Sequence, residues 1–220
     1  MQEEIFFGNG RGEKLAGVVH YRKEISSAVI LCHGFRSSKE NKAAWAERLS
    51  DNFVVLRFDL SGHGESDGEL KDITITRLLA DMNAAIDFMI ARGAKTIGLA
   101  GHSLGGSLSI LASERAKAIC SLAGATDFGT RNLNRFGLLH FDQDAKKYDF
   151  YRTLKKSKTP ALFIHGDRDE VVPLWHSEKG IQAATEGSRM EIIRGMDHSY
   201  AGHYDKIISL SEAWFKERLG

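Results

Sequence analysis

The sequence predicts an α/β fold: a mostly parallel, doubly wound sheet entered through an N-terminal β-hairpin. Two observations carry this expectation. Short continuous apolar runs, such as Ala28-Val29-Ile30-Leu31-Cys32 and Ala118-Ile119-Cys120-Ser121-Leu122, suit strands covered on both faces. Between them lie stretches with apolar residues at helical spacing, and parallel neighbours need such crossovers.

The hairpin comes first. Ile5-Phe6-Phe7 and Leu15 to Tyr21 are extended segments separated by Gly8-Asn9-Gly10-Arg11-Gly12. The run Ala28–Cys32 follows as a buried strand ending at His33-Gly34-Phe35, and a polar loop then leads to a helix around Ala43 to Ser50. Phe53 to Phe58 is the next strand. From Thr74 to Arg92, Leu78, Leu79, Met82, Ala85, Ile86 and Met89 keep helical spacing until Gly93 stops the helix. Thr96 to Ala100 reads as a short strand, and Leu104, Leu108 and Leu111 as the helix after it. Lys117 to Leu122, Pro160 to His165 and Arg189 to Ile193 are further strands. Leu174 to Thr185 and Ile207 to Leu219 are helices. Alternation breaks down at about 127–158, where aromatic residues are scattered among charges. This stretch is expected to be a short cap insertion in a single domain spanning 1–220.

Composition narrows the function. Thirty basic against 29 acidic side chains give a net charge of +1. That balance argues against nucleic acid or an anionic membrane as the main partner. Cys32 and Cys120 each lie in an apolar strand, which favours two buried thiols over a disulfide framework. No signal peptide or membrane-spanning run is visible, so a cytoplasmic setting is expected. Metal-ligand, P-loop and dinucleotide-binding spacings are missing, and neither metal nor cofactor is expected.

The chemistry centres on Gly101-His102-Ser103-Leu104-Gly105. A strand meeting a helix at a glycine-flanked serine is a nucleophile elbow, a turn too sharp for bulky neighbours. Serine is a weak nucleophile and needs a histidine base oriented by a carboxylate. Both are available where ligands collect in open α/β sheets, beyond the carboxyl ends of strands. One loop is Gly166-Asp167-Arg168-Asp169-Glu170 and the other Gly195-Met196-Asp197-His198-Ser199. His198 is the expected base, while Asp169, Asp167 and Asp127 all remain open as its carboxylate. The Leu104 and Phe35 N–H groups are the expected oxyanion donors. His33 and His165 read as structural, His102 as directed elsewhere along the elbow, and His20 and His176 as lacking visible partners.

Over nearly its whole length the chain resembles the α/β-hydrolase superfamily. The carrying segments are Leu31-Cys32-His33-Gly34-Phe35, Arg57 to Gly68 (RFDLSGHGESDG), and His165 to Pro173 (HGDRDEVVP). The second is similar to a loop of serine esterases such as the cinnamoyl (feruloyl) esterases. The resemblance implies the α/β-hydrolase fold, selects Asp169 as the catalytic carboxylate with Ser103 and His198, and makes Asp59 structural. The cap looks shorter than in cinnamoyl esterases, which leaves the substrate open.

The expected activity is hydrolysis of short-chain or aromatic carboxylic esters through an acyl-enzyme, with a small-molecule ester as partner. Cap residues Phe128, Phe136, Phe141 and Tyr148 are the candidates for contacting it. An amide, peptide or thioester hydrolase with the same triad is the alternative, and a ligand-binding module on this fold the non-enzymatic one.

Overall fold

The computed structural model describes residues 1–22, 26–128, 138 and 140–220. Its strands are β1 (Gln2–Gly8), β2 (Lys14–His20), β3 (Ser27–Cys32), β4 (Val54–Phe58), β5 (Thr96–His102), β6 (Ala118–Leu122), β7 (Ala161–Gly166) and β8 (Arg189–Ile193). The α-helices are α1 (Ala43–Leu49), α2 (Ile75–Ala91), α3 (Leu104–Leu111), α4 (Phe141–Ala145), α5 (Phe150–Lys156), α6 (Trp175–Ala183) and α7 (Tyr204–Leu219). One sheet holds all eight strands in the order β1-β2-β4-β3-β5-β6-β7-β8. The β1–β2 hairpin and the β2–β4 pair are antiparallel, and every other pair is parallel. This is the α/β-hydrolase fold anticipated from the sequence.

The apolar runs owe their continuity to two packed faces. Along β3, Ala28, Ile30 and Cys32 face one core layer, while Val29 and Leu31 face the other. The first layer is closed by α2, α3, α5 and α6, through residues such as Leu78, Met82, Leu108 and Leu154. The second is closed by α1 and α7, with Trp45, Trp214 and Phe215 fully buried. Cys32 and Cys120 therefore face opposite helix layers, which is why these free thiols stay unpaired. Burial pushes both thiols up, away from thiolate character.

Element edges follow local chemistry. Thr74 caps α2 by accepting from the Arg77 N–H at 3.2 Å. β5 runs two residues past the expected end because Gly101 still pairs with Cys32 and His102 with Leu122. α7 begins at Tyr204, not Ile207, because its first turn carries polar residues that leave no apolar period to read. Within 127–158, α5 buries Phe150 and Leu154 in the same layer as α3 and α6 and serves as the crossover from β6 to β7. Among the described residues, no helix is long and apolar enough to cross a membrane.

The strand order also fixes where a site forms. β3 and β5 are neighbours, yet α1 after β3 packs on one face and α3, which follows β5, on the other. Chain leaving adjacent strands in opposite directions opens a crevice at their carboxyl ends. The loop after β3 and the β5–α3 turn border that crevice.

Candidate active site

Ser103 stands in the turn between β5 and α3 with φ 53° and ψ −116°. A non-glycine residue in this region is strained by roughly 1–3 kcal/mol and persists only when its surroundings hold it. Here they do. The Ser103 N–H donates to the Leu122 carbonyl at 2.8 Å, and α3 begins at the next residue. The flanking glycines permit the closeness: a Cβ on Gly105 would overlap the Cys32 carbonyl, and one on Gly101 would overlap the Gly105 backbone. Gly105→Ala is accordingly expected to destabilise the protein by about 3 kcal/mol, since backbone rather than a flexible side chain must move. Gly8→Ala, where the added methyl meets nothing within 4 Å, is the control and is expected to stay within about 0.5 kcal/mol. Chemical denaturation midpoints of the two variants check both values.

The loops after β7 and β8 are tied together before any side-chain chemistry is considered. The Arg168 N–H donates to the Met196 carbonyl at 3.1 Å, and the Gly195 N–H to Asp167 Oδ1 at 2.6 Å. Asp167 is thus occupied in fastening the turn. Asp169 points inward, its side chain fully buried, and His198 Nδ1 meets Asp169 Oδ2 at 2.7 Å. Asp169 Oδ1 accepts from the Val171 and Val172 N–H groups at 2.9 and 2.7 Å. His165 Nε2 lies 3.3 Å from Oδ2. Burial opposes ionisation of Asp169, but the bonds from His165, His198 and Val172 outweigh it and hold the carboxyl well below the usual carboxylate range. An ionised Asp169 requires the proton on His198 Nδ1, leaving Nε2 as the basic nitrogen. The third carboxylate, Asp127, is half-buried in the loop after β6.

The loop after β3 lies against the serine: a Cβ on Gly34 would come within 3.4 Å of Ser103 Cβ. His33 braces this loop, with Nδ1 donating to the Gly34 carbonyl at 2.7 Å and Nε2 accepting from the Leu60 N–H at 3.1 Å. Burial pushes its imidazole down to about 4, so it stays neutral as that bonding requires. Phe35 follows at once. Leu104 is the first residue of α3, and its N–H has no carbonyl one turn back within the helix. Asp59, read as structural, accepts from the Lys39 N–H at 2.6 Å, Lys39 Nζ at 2.9 Å and the Glu65 N–H at 3.0 Å.

The expected substrate-contacting aromatics divide. Phe128 is 9% exposed and Phe141 2%, with ring centroids 5.5 Å apart, and Phe128 also meets Phe150 at 5.7 Å. Phe141 is therefore packing, whereas Phe128 and Tyr148 border a 260 Å³ cleft with Thr126, Lys146 and Tyr151. None of Ser103, Asp169 and His198 lines that cleft. Phe136 lies outside the described residues.

Several histidines depart from the sequence reading. His102 does not point away from the chemistry: its Nε2 donates to the His198 carbonyl at 3.0 Å. Strand alternation sends its side chain off the Ser103 direction but says nothing of the returning β8 loop, which meets it there. His20 Nε2 accepts from Arg57 Nε at 2.9 Å, and His176 Nδ1 from the Thr126 N–H at 3.1 Å. These partners are 37 and 50 residues away, beyond the reach of local patterns. Lys42 has no local sequence signal. It is 1% exposed and donates to Tyr200 Oη at 3.0 Å, and a lone lysine before a helix carries no sign of such burial.

Comparison with known proteins agrees with this architecture. A family model described as serine aminopeptidase, S33 (Hydrolase_4), matches residues 23–126. An uncharacterized protein of Mycobacterium tuberculosis is 28% identical over 186 residues, covering 78% of this chain and 63% of that protein. The mitochondrial palmitoyl-protein thioesterase ABHD10 of Bos taurus is 24% identical over 209 residues, covering 79% of this chain and 67% of that one. Est1E from Butyrivibrio proteoclasticus, solved with ferulic acid bound, superimposes with a TM-score of 0.85 at 22% identity, over 98% of this chain and 99% of that one. The chain spans less than two thirds of the length of the first of these curated relatives. With its eight-stranded sheet and strained serine turn, the chain has the α/β-hydrolase fold, and over residues 23–126 it resembles the serine aminopeptidase S33 family.

Proposed function

We propose that the chain hydrolyses carboxylic esters of small molecules, with Ser103 as nucleophile, His198 as general base and Asp169 as its orienting carboxylate. The observation that carries this reading is the 2.7 Å contact between His198 Nδ1 and Asp169 Oδ2 beside the strained serine turn. His198 Nε2 takes the Ser103 proton as Oγ attacks the ester carbonyl, and Asp169 stabilises the imidazolium that forms. The Leu104 and Phe35 N–H groups hold the oxyanion. The imidazolium returns its proton to the departing alcohol, and a water activated by the same nitrogen releases the acid. In this reading the setting is cytoplasmic, consistent with two buried free thiols.

The preference for small or aromatic acyl groups rests on the short cap, whose aromatic side chains Phe128 and Tyr148 offer rigid apolar area. Thioesters and amides carry the same carbonyl chemistry, and the relatives include a named thioesterase and a family described as aminopeptidase. The test is a substrate panel: nitrophenyl esters from two to sixteen acyl carbons, methyl ferulate, an acyl thioester and an aminoacyl anilide. The expected result is a kcat/KM maximum at short or aromatic acyl esters. A value climbing steadily to the longest chain contradicts the compact site, and an anilide or thioester outrunning every ester contradicts ester specificity.

A further inference from the structure

His102 has three neighbours in two loops of the site: His198 and Tyr200 in the loop after β8, and Gly34 in the loop after β3. Its Nε2–H donates to the His198 backbone carbonyl at 3.0 Å, and its ring lies 4.7 Å from the His198 ring at 44°. Its opposite neighbour is Tyr200, edge-on at 4.8 Å and 80°. On the oxyanion side, a Cβ on Gly34 would come within 3.3 Å of His102 Nδ1. One imidazole, fixed by the strand that carries the nucleophile, therefore touches the base loop and the oxyanion loop together.

The far side of this arrangement is anchored as well. Tyr200 sits at φ 50°, a conformation disfavoured for a bulky residue and in need of outside support. Its hydroxyl accepts from the buried Lys42 ammonium at 3.0 Å, and its ring stacks on Tyr204 at 5.6 Å. Lys42 Nζ also lies 5.3 Å from the Tyr200 ring centroid. The loop carrying His198 is thus clamped between the β5 end and the start of α1. Only a neutral or cationic imidazole with hydrogen on Nε2 can donate to a carbonyl. Burial, with the charges of Lys42 and His198 adding to it, keeps His102 neutral.

We propose that His102 is a positioning residue for the general base: its Nε2–H holds the His198 carbonyl so that the His198 ring faces Ser103 and Asp169 at once. The inference rests on the triad reading above. Without this bond the loop keeps its Asp169 contact but loses its registration to the strand bearing the serine. A misplacement on the order of 1 Å costs about 100-fold in turnover.

The test compares His102→Phe and His102→Leu, which remove the donor, with His102→Gln, which keeps an N–H on a side chain of similar reach. The leucine variant carries the comparison if the phenylalanine variant does not fold. On a short-chain nitrophenyl ester, both donor-less variants are expected to lose about 10- to 100-fold in kcat with KM changed less than about twofold. The glutamine variant is expected to recover most of that loss. The low-field proton resonance of His198 Nδ1–H, assigned by its loss in Asp169→Asn, is expected to shift or broaden in the donor-less variants only. Wild-type kcat and an unmoved resonance in His102→Phe or His102→Leu would overturn the proposal, as would a glutamine variant no better than they are. Ser103→Ala is assayed alongside. If that variant keeps wild-type turnover, the triad reading itself fails. If it is inactive while the donor-less variants are unimpaired, only the role given to His102 fails.

Discussion

Ser103→Ala is expected to lose on the order of 10^4- to 10^6-fold in kcat/KM on a nitrophenyl ester while keeping the fold. The expected loss is this large because in the proposed mechanism the serine oxygen forms the acyl bond, and alanine offers no atom to replace it. The fold survives because the turn is held by the backbone: the Ser103 N–H bond to Leu122 and the packing of Gly101 and Gly105 involve no hydroxyl. Alanine retains the positive φ of 53° that serine already adopts, so that strain cancels and stability is expected to stay within about 1 kcal/mol of wild type. Steady-state kinetics and far-UV circular dichroism on the same preparation separate the two effects. Activity within tenfold of wild type would remove Ser103 from the mechanism.

Asp169→Asn is expected to cost about 10^4-fold in kcat, and Asp167→Asn less than tenfold. An amide at position 169 presents an N–H toward His198 or, if rotated, loses its carbonyl to the Val171 and Val172 N–H groups. Either way the imidazolium loses its counter-charge. Asp167 has a different task, accepting from the Gly195 N–H at the surface, and an amide oxygen can still accept there. The substitution also has a pH signature. The Asp169 carboxyl is held below its ordinary value of 3.8, so its contribution to stability is present above that pH and lost as pH falls toward the depressed value. Wild type is therefore expected to exceed Asp169→Asn in stability near neutrality, with the gap narrowing only below about pH 4. Kinetics of the two asparagine variants side by side, with denaturation at pH 7 and pH 3, check both expectations. Equal kinetic losses, or a reversed ranking, would contradict the choice of carboxylate.

The strand pattern was legible because a sheet covered on both faces leaves uninterrupted apolar runs, as in Ala28–Cys32, and helices covered on one face leave a period, as in α2. The boundaries that went unread are those where this contrast vanishes: Gly101 and His102 continue β5 without apolar side chains, and the first turn of α7 is polar. The candidate site was legible in the same measure. Ser103, Asp169 and His198 each follow a recognisable strand in a loop of recognisable type, so topology alone brings their loops to one edge. The structure then separates Asp169 from Asp167 by direction, one buried against His198 and the other turned to the Gly195 N–H. What stayed hidden was every contact made between loops distant in sequence. His102 and His198 are 96 residues apart and Lys42 and Tyr200 158, and their partnership leaves no local periodicity. The aromatic residues of 127–158 show the opposite difficulty. Phe128 and Phe141 look alike in the sequence, and only packing reveals that Phe141 belongs wholly to the core.

The proposed mechanism stands or falls with Ser103 as the acyl-accepting nucleophile. Its most direct test is mass spectrometry of the intact chain and its peptides after reaction with a fluorophosphonate. One label per chain is expected, located on Ser103, with labelling slowed at least about 1000-fold in Asp169→Asn. A label on any other residue, or ester hydrolysis that persists in a chain fully labelled at Ser103, would contradict it.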